Sequence, residues 1–302
     1  TDDADAIVEP FQPEPTPSTL DLYRAAAGGA VRNISGAPSL LRRSVAGMIR
    51  GRAARREEPT TVPGPFSGPR TPFNVSLTPE RTFATLTLPL DTMAAAKRRA
   101  EASLNDVFLA VCGGGVRRYL SRTDELPTDS LVASVPMATR MDRRVLGGNH
   151  VDNLYLPLRT DVPGPVDRIR QIHVTSAAAR RVRTALGTEL MEDRADLIPP
   201  LAHRVTARAW SATGLADRVR PPLNLVASSV PGPRETLELD GGVVTALYSS
   251  GPILEGIGVN LTAWSYLDTM YLSILGCPTS LPDPWQLAEA IADEMSDLTA
   301  AL

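Results

Sequence analysis

Cysteine and histidine are scarce in this chain, which holds two cysteines and three histidines in 302 residues. Cys112 and Cys277 are too few and too far apart for a disulfide framework, and they lack the close spacing of a zinc or CxxC redox motif. We therefore expect two reduced thiols in the core. His150, His173 and His203 have no acidic and nucleophilic partners at a spacing typical of a catalytic triad, so we expect them to be structural. No metal site is predicted.

Other absences exclude whole classes of protein. No apolar stretch reaches the roughly 20 residues that a membrane-spanning helix needs, and the acidic N-terminal sequence TDDAD is unlike a signal peptide. The 31 basic and 34 acidic residues give a net charge of −3, whereas nucleic-acid-binding domains usually carry a clear basic excess. The sequence has no GxxxxGK[ST] phosphate loop, no GxGxxG after a strand and no GxSxG nucleophile elbow. We therefore expect a cytoplasmic protein that does not bind nucleic acid.

Proline divides the chain into two parts. Two stretches, 1–17 and 59–80, are rich in proline, and this density disfavours regular helix. Between them we predict two helices, over about 18–30 with Ser18 as N-cap and over about 39–56, the first with its end weakened by glycine. From Arg81 onward strands and helices follow closely. We therefore predict a Pro-rich linker with one or two helices over residues 1–80 and an α/β domain over residues 81–302.

The second predicted helix of the linker is amphipathic. Leu41, Val45 and Ile49 fall on one face at helical spacing, and arginines cover much of the remaining surface. A basic amphipathic helix of this kind can lie on an anionic membrane surface. A linker helix with a solvated charged face has the same pattern, so the residues leave both interpretations open.

The compact part has its strands and helices in an irregular order. We predict strands over 82–88, 131–136, 151–158, 223–228, 243–248, 258–263 and 269–275, and helices over 91–100, 105–120, 165–186, 189–212 and 285–302. Asp91 is expected to cap the first of these helices, and Arg168 is expected to point outward from the third. The order is neither strict βαβ alternation nor a series of hairpins. An α/β (α+β) fold with a mixed sheet flanked by helices, mainly on one face, is the simplest interpretation.

Asn105 and Asp106 stand together at the start of the long apolar helix. Either side chain could cap free N–H groups there, a contribution of about 1 kcal/mol. One cap residue is sufficient, so the second side chain is available for another task. From these residues alone, capping and a role in a functional site are both open.

Further polar residues lie where strands are predicted to end or to be buried. Arg140 follows a strand end and could hold a phosphate or carboxylate, or pair with Asp142 at the surface. Asn149 completes a GGN turn, whose glycines allow a positive φ. Asn260 and Thr262 share one face of a predicted strand by alternation. Buried and unpaired, they would be costly, so they either pair across the sheet or line a polar cleft.

The order of these motifs resembles the C-terminal half of the bacterial wax ester synthase/diacylglycerol acyltransferase family. The matching segments are Asn105-Asp106, the GGN turn, SVPGP from Ser229, and GVNLTAWSY over 258–266, which is similar to the family pattern GxxNxTxxSY. Ser229 stands where the family usually has Asn, so this chain lacks that amide. The family's catalytic motif, HHxxxDG, does not occur in this sequence.

The resemblance implies one half of the two-domain CoA-dependent acyltransferase fold. In that family a His of HHxxxDG lies between the halves and deprotonates diacylglycerol or a long-chain alcohol, which attacks an acyl-CoA thioester. Acyl-CoA is then a co-substrate, and no cofactor is implied. Asn105 and Asp106 would have supporting catalytic roles. The implied substrate-binding residues are Arg140, Asn149, Asn260, Thr262 and Ser265.

The implied partner is the N-terminal half of the same enzyme, on this polypeptide or a separate chain, and it would supply the His. We therefore expect the chain to hold only the C-terminal half and to be inactive without the other. Handling lipid substrates would also fit peripheral contact with the inner face of the membrane or with lipid droplets.

Two other functions fit the same sequence. A non-catalytic lipid- or partner-binding module of the same fold would also lack the His pair. A condensation-type domain of peptide or polyketide synthesis shares the fold, but it needs HHxxxDG and a carrier-protein neighbour, so we rank it last. An accompanying segment with HHxxxDG would distinguish the acyltransferase from the binding module.

Overall fold

The computed structural model describes residues 16–58, 60, 62–64, 66–138, 151–186, 204–205, 208–209 and 211–302. Its helices are α1 (Thr19–Glu57), α2 (Leu90–Ala100), α3 (Leu104–Arg122), α4 (Pro165–Leu186) and α5 (Pro284–Ala300), with a 3-10 turn at Leu215–Asp217. Its strands are β1 (Thr82–Pro89), β2 (Val132–Ala138), β3 (Val151–Pro157), β4 (Leu225–Val230), β5 (Glu238–Leu239), β6 (Gly242–Val243), β7 (Asn260–Tyr266) and β8 (Thr269–Gly276). Within these ranges, no helix has the length and apolar character needed to cross a bilayer.

A six-stranded mixed sheet lies at the centre of the fold, with the strand order β1-β8-β7-β4-β2-β3. β2 pairs parallel to β4, and β4 pairs parallel to β7. The other neighbours are antiparallel. The carboxyl ends of β2, β4 and β7 therefore meet at one edge of the sheet. The predicted mixed sheet flanked by helices is confirmed.

Helix α3 is the central helix of the core. Its residues from Asp106 to Val116 are all buried, and it packs against α2, α4, α5 and β4. Phe108, Leu109 and Leu120 are fully buried there, and burying each such side chain stabilises the fold by about 1.5–3 kcal/mol. Cys112 and Cys277 are free and buried, as the sequence predicted.

Three consecutive glycines let α3 approach its neighbours closely. A Cβ atom on Gly113 would lie 2.2 Å from the carbonyl oxygen of Leu158, which follows β3. A Cβ atom on Gly114 would lie 2.1 Å from Cδ of Glu294 on α5. Gly115 faces α5 in the same way. A larger residue at any of these positions would force backbone or a buried ion pair to move.

Helix α1 differs from the prediction of two separate helices. Ser18 is the N-cap as predicted, and it forms a capping box with Asp21, but the helix then continues to Glu57. Glycine and proline lower helix propensity, by about 1 and about 3 kcal/mol, and they do not end the helix here. Its C-terminal part is held against α4, where Arg50 donates to the carbonyl of Ala185 and Arg181 pairs with Glu58.

Three predictions about local structure were wrong. Helix α2 begins directly after β1 with Pro89 at the N-cap, and the Asp91 carboxylate instead accepts from its neighbour Thr92. The strand predicted over 243–248 is reduced to a two-residue pairing of β5 with β6. Arg168 is buried, because it pairs with Glu294 in the core. The predicted segments 1–17 and 189–212 lie largely outside the described residues, and the division at residue 80 stays a prediction.

Candidate functional site

A cleft of ≈ 360 Å³ opens at the carboxyl ends of β2, β4 and β7, beside the first turn of α3. Ligands of open α/β sheets commonly bind outside the carboxyl ends of the strands. Most of the lining is apolar: Leu104, Val135, Pro136, Met137, Val230, Pro231 and Met270. The polar lining residues are Asn105, Ser229 and Ser265, with Arg180 of α4. This combination suits an apolar ligand that carries a few polar atoms.

Two hydrogen bonds join the polar groups of the cleft. Ser229 Oγ, near the end of β4, donates to Asn105 Oδ1 on α3 at 2.7 Å. The backbone N–H of Gly232 donates to Ser265 Oγ, near the end of β7, at 3.0 Å. Gly232 can approach this closely only because it lacks a side chain, since a Cβ atom there would lie 2.0 Å from the carbonyl oxygen of Ser265.

Arg180 contributes the positive charge of the cleft. It is exposed on α4, and it is the one charged side chain among the described lining residues. None of the salt bridges within the described part of the chain involves it. Its guanidinium is therefore available to an anionic group of a ligand at that edge of the cleft.

Asp106, the neighbour of Asn105, is fully buried beside the cleft. Its carboxylate accepts hydrogen bonds from the backbone and hydroxyl of Ser103, from Ser176 Oγ at 2.8 Å and from His173 Nδ1 at 2.8 Å. Burial raises the pKa of Asp106, but the hydrogen bonds from His173, Ser103 and Ser176 outweigh it and hold the pKa below its usual value. The charged carboxylate thus ties the first turn of α3 to α4.

The residues predicted for the site fall into distinct places. Asn105 and Ser265 both line the cleft. Asp106 does not, and the N-cap of α3 is Ser103, with Asp106 as its partner in a capping box. The suggestion that one residue of the Asn-Asp pair caps the helix while the other is free therefore fits, with Asn105 as the free one.

Asn260 and Thr262 lie on β7 away from the cleft lining. Thr262 Oγ1 donates to Asn260 Oδ1 at 2.6 Å, and Asn260 Nδ2 donates to the carbonyl of Pro252 at 3.0 Å. These contacts fit the pairing alternative, and the role of both residues in substrate binding stays a prediction. They pair with each other along one strand and with the loop before it. Arg140 and Asn149 lie outside the described residues.

Sequence reasoning did not foresee the contact or the position of four residues of this region, His173, Ser176, Arg180 and Ser229. His173 was expected to be structural, which agrees with its bond to Asp106, but the bond itself was not foreseen. His173 and Ser176 lie three residues apart, so they share a helix face, and that spacing was the available signal. Arg180 continues the same face one heptad later. The contact of Ser229 with Asn105 depends on the fold and has no local signal.

Two family models match the chain and identify its family. The WS/DGAT C-terminal domain matches residues 147–299, and the wax ester synthase/diacylglycerol acyltransferase catalytic domain matches residues 1–108. The chain belongs to the wax ester synthase/diacylglycerol acyltransferase family. The second match corrects the prediction that only a C-terminal half is present. HHxxxDG is one short motif of the catalytic domain, and its absence from the sequence does not exclude other parts of that domain.

Curated relatives agree with this family. One protein of Mycobacterium tuberculosis strain H37Rv is 34% identical over 284 residues, covering 94% of this chain and 60% of the relative. Another from the same strain is 33% identical over 282 residues, covering 91% and 58%. Their names assign both provisionally to the diacylglycerol O-acyltransferases. The chain thus spans about 60% of the length of these relatives.

A solved structure also resembles this chain. The wax ester synthase/diacylglycerol acyltransferase of Marinobacter aquaeolei VT8 has a TM-score of 0.62 and 25% identity, covering 78% of this chain and 52% of that protein. The cyclization-docking bidomain of EpoB from Sorangium cellulosum has a TM-score of 0.51 and 15% identity, covering 85% and 49%. The second likeness shows a shared fold alone.

Proposed function

We propose that the chain is part of an O-acyltransferase that moves a long-chain acyl group from acyl-CoA to diacylglycerol or to a long-chain alcohol. The observation that carries this proposal is the cleft at the strand ends. Its apolar lining suits an acyl chain, and its few polar groups suit the thioester. Arg180, exposed on the cleft lining, suits the phosphate-bearing end of CoA. The names of the relatives and the family match support the same reaction.

The proposed roles follow from the positions of the residues. Asn105 and Ser265 face the substrate path directly. Asp106 has a supporting role, because it holds the first turn of α3, and with it Asn105, against α4. Asn260 and Thr262 are retained as proposed substrate-binding residues, and their hydrogen bonds also fix the loop at Pro252. Arg140 and Asn149 are retained as proposed substrate-binding residues.

We further propose that the general base belongs to a segment carrying HHxxxDG, on the same polypeptide or on a second one. Attack of an alcohol on a thioester needs a base whose pKa lies near neutral pH. Asn, Ser and Arg, the polar types that line the described cleft, do not supply one. His173 is engaged with Asp106 through Nδ1 and is not part of the lining. The acyltransferase would therefore need a partner segment facing this cleft.

An acyl-transfer assay tests this proposal. The purified chain is incubated with radiolabelled palmitoyl-CoA and either dioleoylglycerol or hexadecanol, alone and after co-expression with the HHxxxDG segment of the same protein. We expect labelled triacylglycerol or wax ester only with the segment present, and no product when both His residues of HHxxxDG are replaced by Ala. Turnover by the 302 residues alone would contradict the location of the base.

A non-catalytic lipid- or partner-binding module is the second candidate. The observation in its favour is that the described cleft lining supplies no general base while its apolar surface can still hold a lipid. Such a module would bind palmitoyl-CoA in a filter-binding measurement. In the acyl-transfer assay it would give no ester, even with the HHxxxDG segment present. That result would replace the acyltransferase proposal.

A further inference from the structure

We propose that Asn105 and Ser265 form a two-donor cradle for the carbonyl oxygen of the acyl thioester, and that Ser229 and Gly232 are the positioning residues that orient it. The inference rests on the proposed function, since it names the ligand atom within that site. Two hydrogen bonds carry it, from Ser229 to Asn105 and from Gly232 to Ser265, together with the position of Asn105 and Ser265 on the cleft lining.

Ser229 sets the orientation of the Asn105 amide. A serine hydroxyl has one hydrogen, and Ser229 directs it to Asn105 Oδ1 at 2.7 Å. The oxygen and nitrogen of an amide point to opposite sides of a planar group, so Nδ2 is turned away from Ser229. Within the described part of the chain, Nδ2 of Asn105 has no hydrogen-bond acceptor. Asn105 therefore presents a free N–H pair to the cleft.

Gly232 likewise leaves Ser265 with a free hydrogen-bond donor. The hydroxyl oxygen of Ser265 accepts the N–H of Gly232 at 3.0 Å. The hydroxyl hydrogen of Ser265 has no acceptor among the residues that the structure describes. A hydroxyl that already accepts one bond donates its own hydrogen to the next polar atom that it meets. Ser265 is thus a second donor on the same cleft.

Two free donors among apolar side chains define what the cradle can hold. Met137, Val230 and Met270 line the same cleft, and hydrogen bonds are stronger where such residues exclude water. A carbonyl oxygen accepts two hydrogen bonds, and it gains negative charge when the thioester is attacked. Donors already fixed toward that position stabilise the developing oxyanion without reorganisation. Ser229 and Gly232 do not contact the carbonyl. They orient the Asn105 amide and the Ser265 hydroxyl, which do.

Paired ligands that differ only at the carbonyl test the cradle. Octanoyl-CoA and octyl-CoA, the thioether in which CH₂ replaces C=O, are titrated into the purified chain by isothermal calorimetry. We expect the thioester to bind more tightly, by about fivefold to tenfold for each donor. Ser265→Ala and Asn105→Leu should each lower the preference for octanoyl-CoA over octyl-CoA by one such factor.

The positioning role of Ser229 needs its own comparison. Ser229→Ala should weaken octanoyl-CoA binding by a smaller factor, and Ser229→Thr, which keeps the hydroxyl, should restore it. Ser228→Ala is the matched control, because Ser228 is the next residue on β4 and does not line the cleft. Isotope-edited infrared spectra of ¹³C=O octanoyl-CoA supply a second readout. The bound carbonyl stretch should lie at lower frequency in the unmodified chain and move back in Ser229→Ala and Ser265→Ala.

Each outcome decides between the inferences. Equal affinity for both ligands, or an unshifted carbonyl stretch, would overturn the cradle and leave the proposed function standing. An equal loss in Ser228→Ala and Ser229→Ala would overturn the positioning role. If neither ligand binds the chain, either alone or co-expressed with the HHxxxDG segment, the proposed function fails, and the cradle falls with it.

Discussion

Asp106 shows how a single residue can serve helix capping and tertiary packing at once. It completes the capping box of Ser103 and also accepts hydrogen bonds from His173 and Ser176 of α4. The sequence predicted that one residue of the Asn-Asp pair would be left free of capping. It could not show which one, because the second set of partners lies about 70 residues further along the chain.

Replacement of Asp106 by Asn should destabilise the fold. The variant keeps the size of the side chain but removes the buried charge that several donors share, and its amide N–H₂ would face other donors. We expect a loss of about 2–4 kcal/mol in the free energy of unfolding at neutral pH. Urea denaturation followed by circular dichroism measures it. Asp167→Asn on α4, at an exposed pair with Arg170, is the control and should change stability by less than about 0.5 kcal/mol.

The effect of Asp106 should also depend on pH. Its pKa in the folded chain is lowered by hydrogen bonds, whereas an unfolded Asp has a pKa of about 3.9. The charge therefore stabilises the fold fully above the unfolded pKa, and this stabilisation is lost as pH falls through the folded pKa. The stability difference between the original chain and Asp106→Asn should be constant above about pH 5 and narrow below about pH 4. A stability difference between the two chains that grows toward acid pH would contradict the lowered pKa of Asp106.

At the scale of elements, a buried ion pair joins α4 to α5. Arg168 and Glu294 are both nearly inaccessible to solvent, and Arg118 of α3 also pairs with Glu294, at 3.0 Å. Gly114 leaves the space that this pair occupies. The sequence predicted Arg168 to point outward with the other arginines of its helix, since arginines are usually exposed. Only the assembled helices show that a carboxylate from α5 lies opposite it.

Glu294→Gln tests how much this ion pair contributes to the stability of the fold. The substitution leaves Arg168 buried without its counter-charge, and we expect a loss of about 3–5 kcal/mol in the free energy of unfolding. Asp293→Asn is the neighbouring control, because Asp293 pairs with Arg122 on the surface and should cost less than about 1 kcal/mol. Denaturant unfolding of both variants makes the comparison. A similar cost for the two would show that the buried pair does not hold α4 to α5.

The elements were predictable to different degrees, for physical reasons. β1 and β8 were placed within one or two residues of their observed ends, because alternating apolar residues mark a half-buried strand. α4 was placed with both its ends, since Pro165 starts it and its apolar spacing is regular. The segment 243–248 also alternates, but of its residues only Val243 belongs to a strand pairing, with Glu238. Strand formation requires a neighbouring strand as well as a local pattern.

At the scale of the whole molecule, the cleft is a product of sheet topology. Its lining comes from β2, β4, β7, β8, α3 and α4. These elements are spread over the sequence, and they meet at the edge of the sheet where the three parallel strands end. Composition and periodicity predicted a mixed sheet but not the strand order. The motif order, read as a family resemblance, therefore anticipated more of the site than the individual residues did.

The measurement that tests the central claim most directly is photo-cross-linking of the chain with an acyl-CoA that carries a diazirine at the end of an eight-carbon acyl chain. Labelled peptides are identified by mass spectrometry, with unlabelled octanoyl-CoA as competitor. We predict labels on the apolar lining, at Met137, Val230 and Met270, which the competitor removes. Labels confined to α1, or labels that the competitor does not reduce, would contradict the assignment of the cleft as the acyl-CoA site.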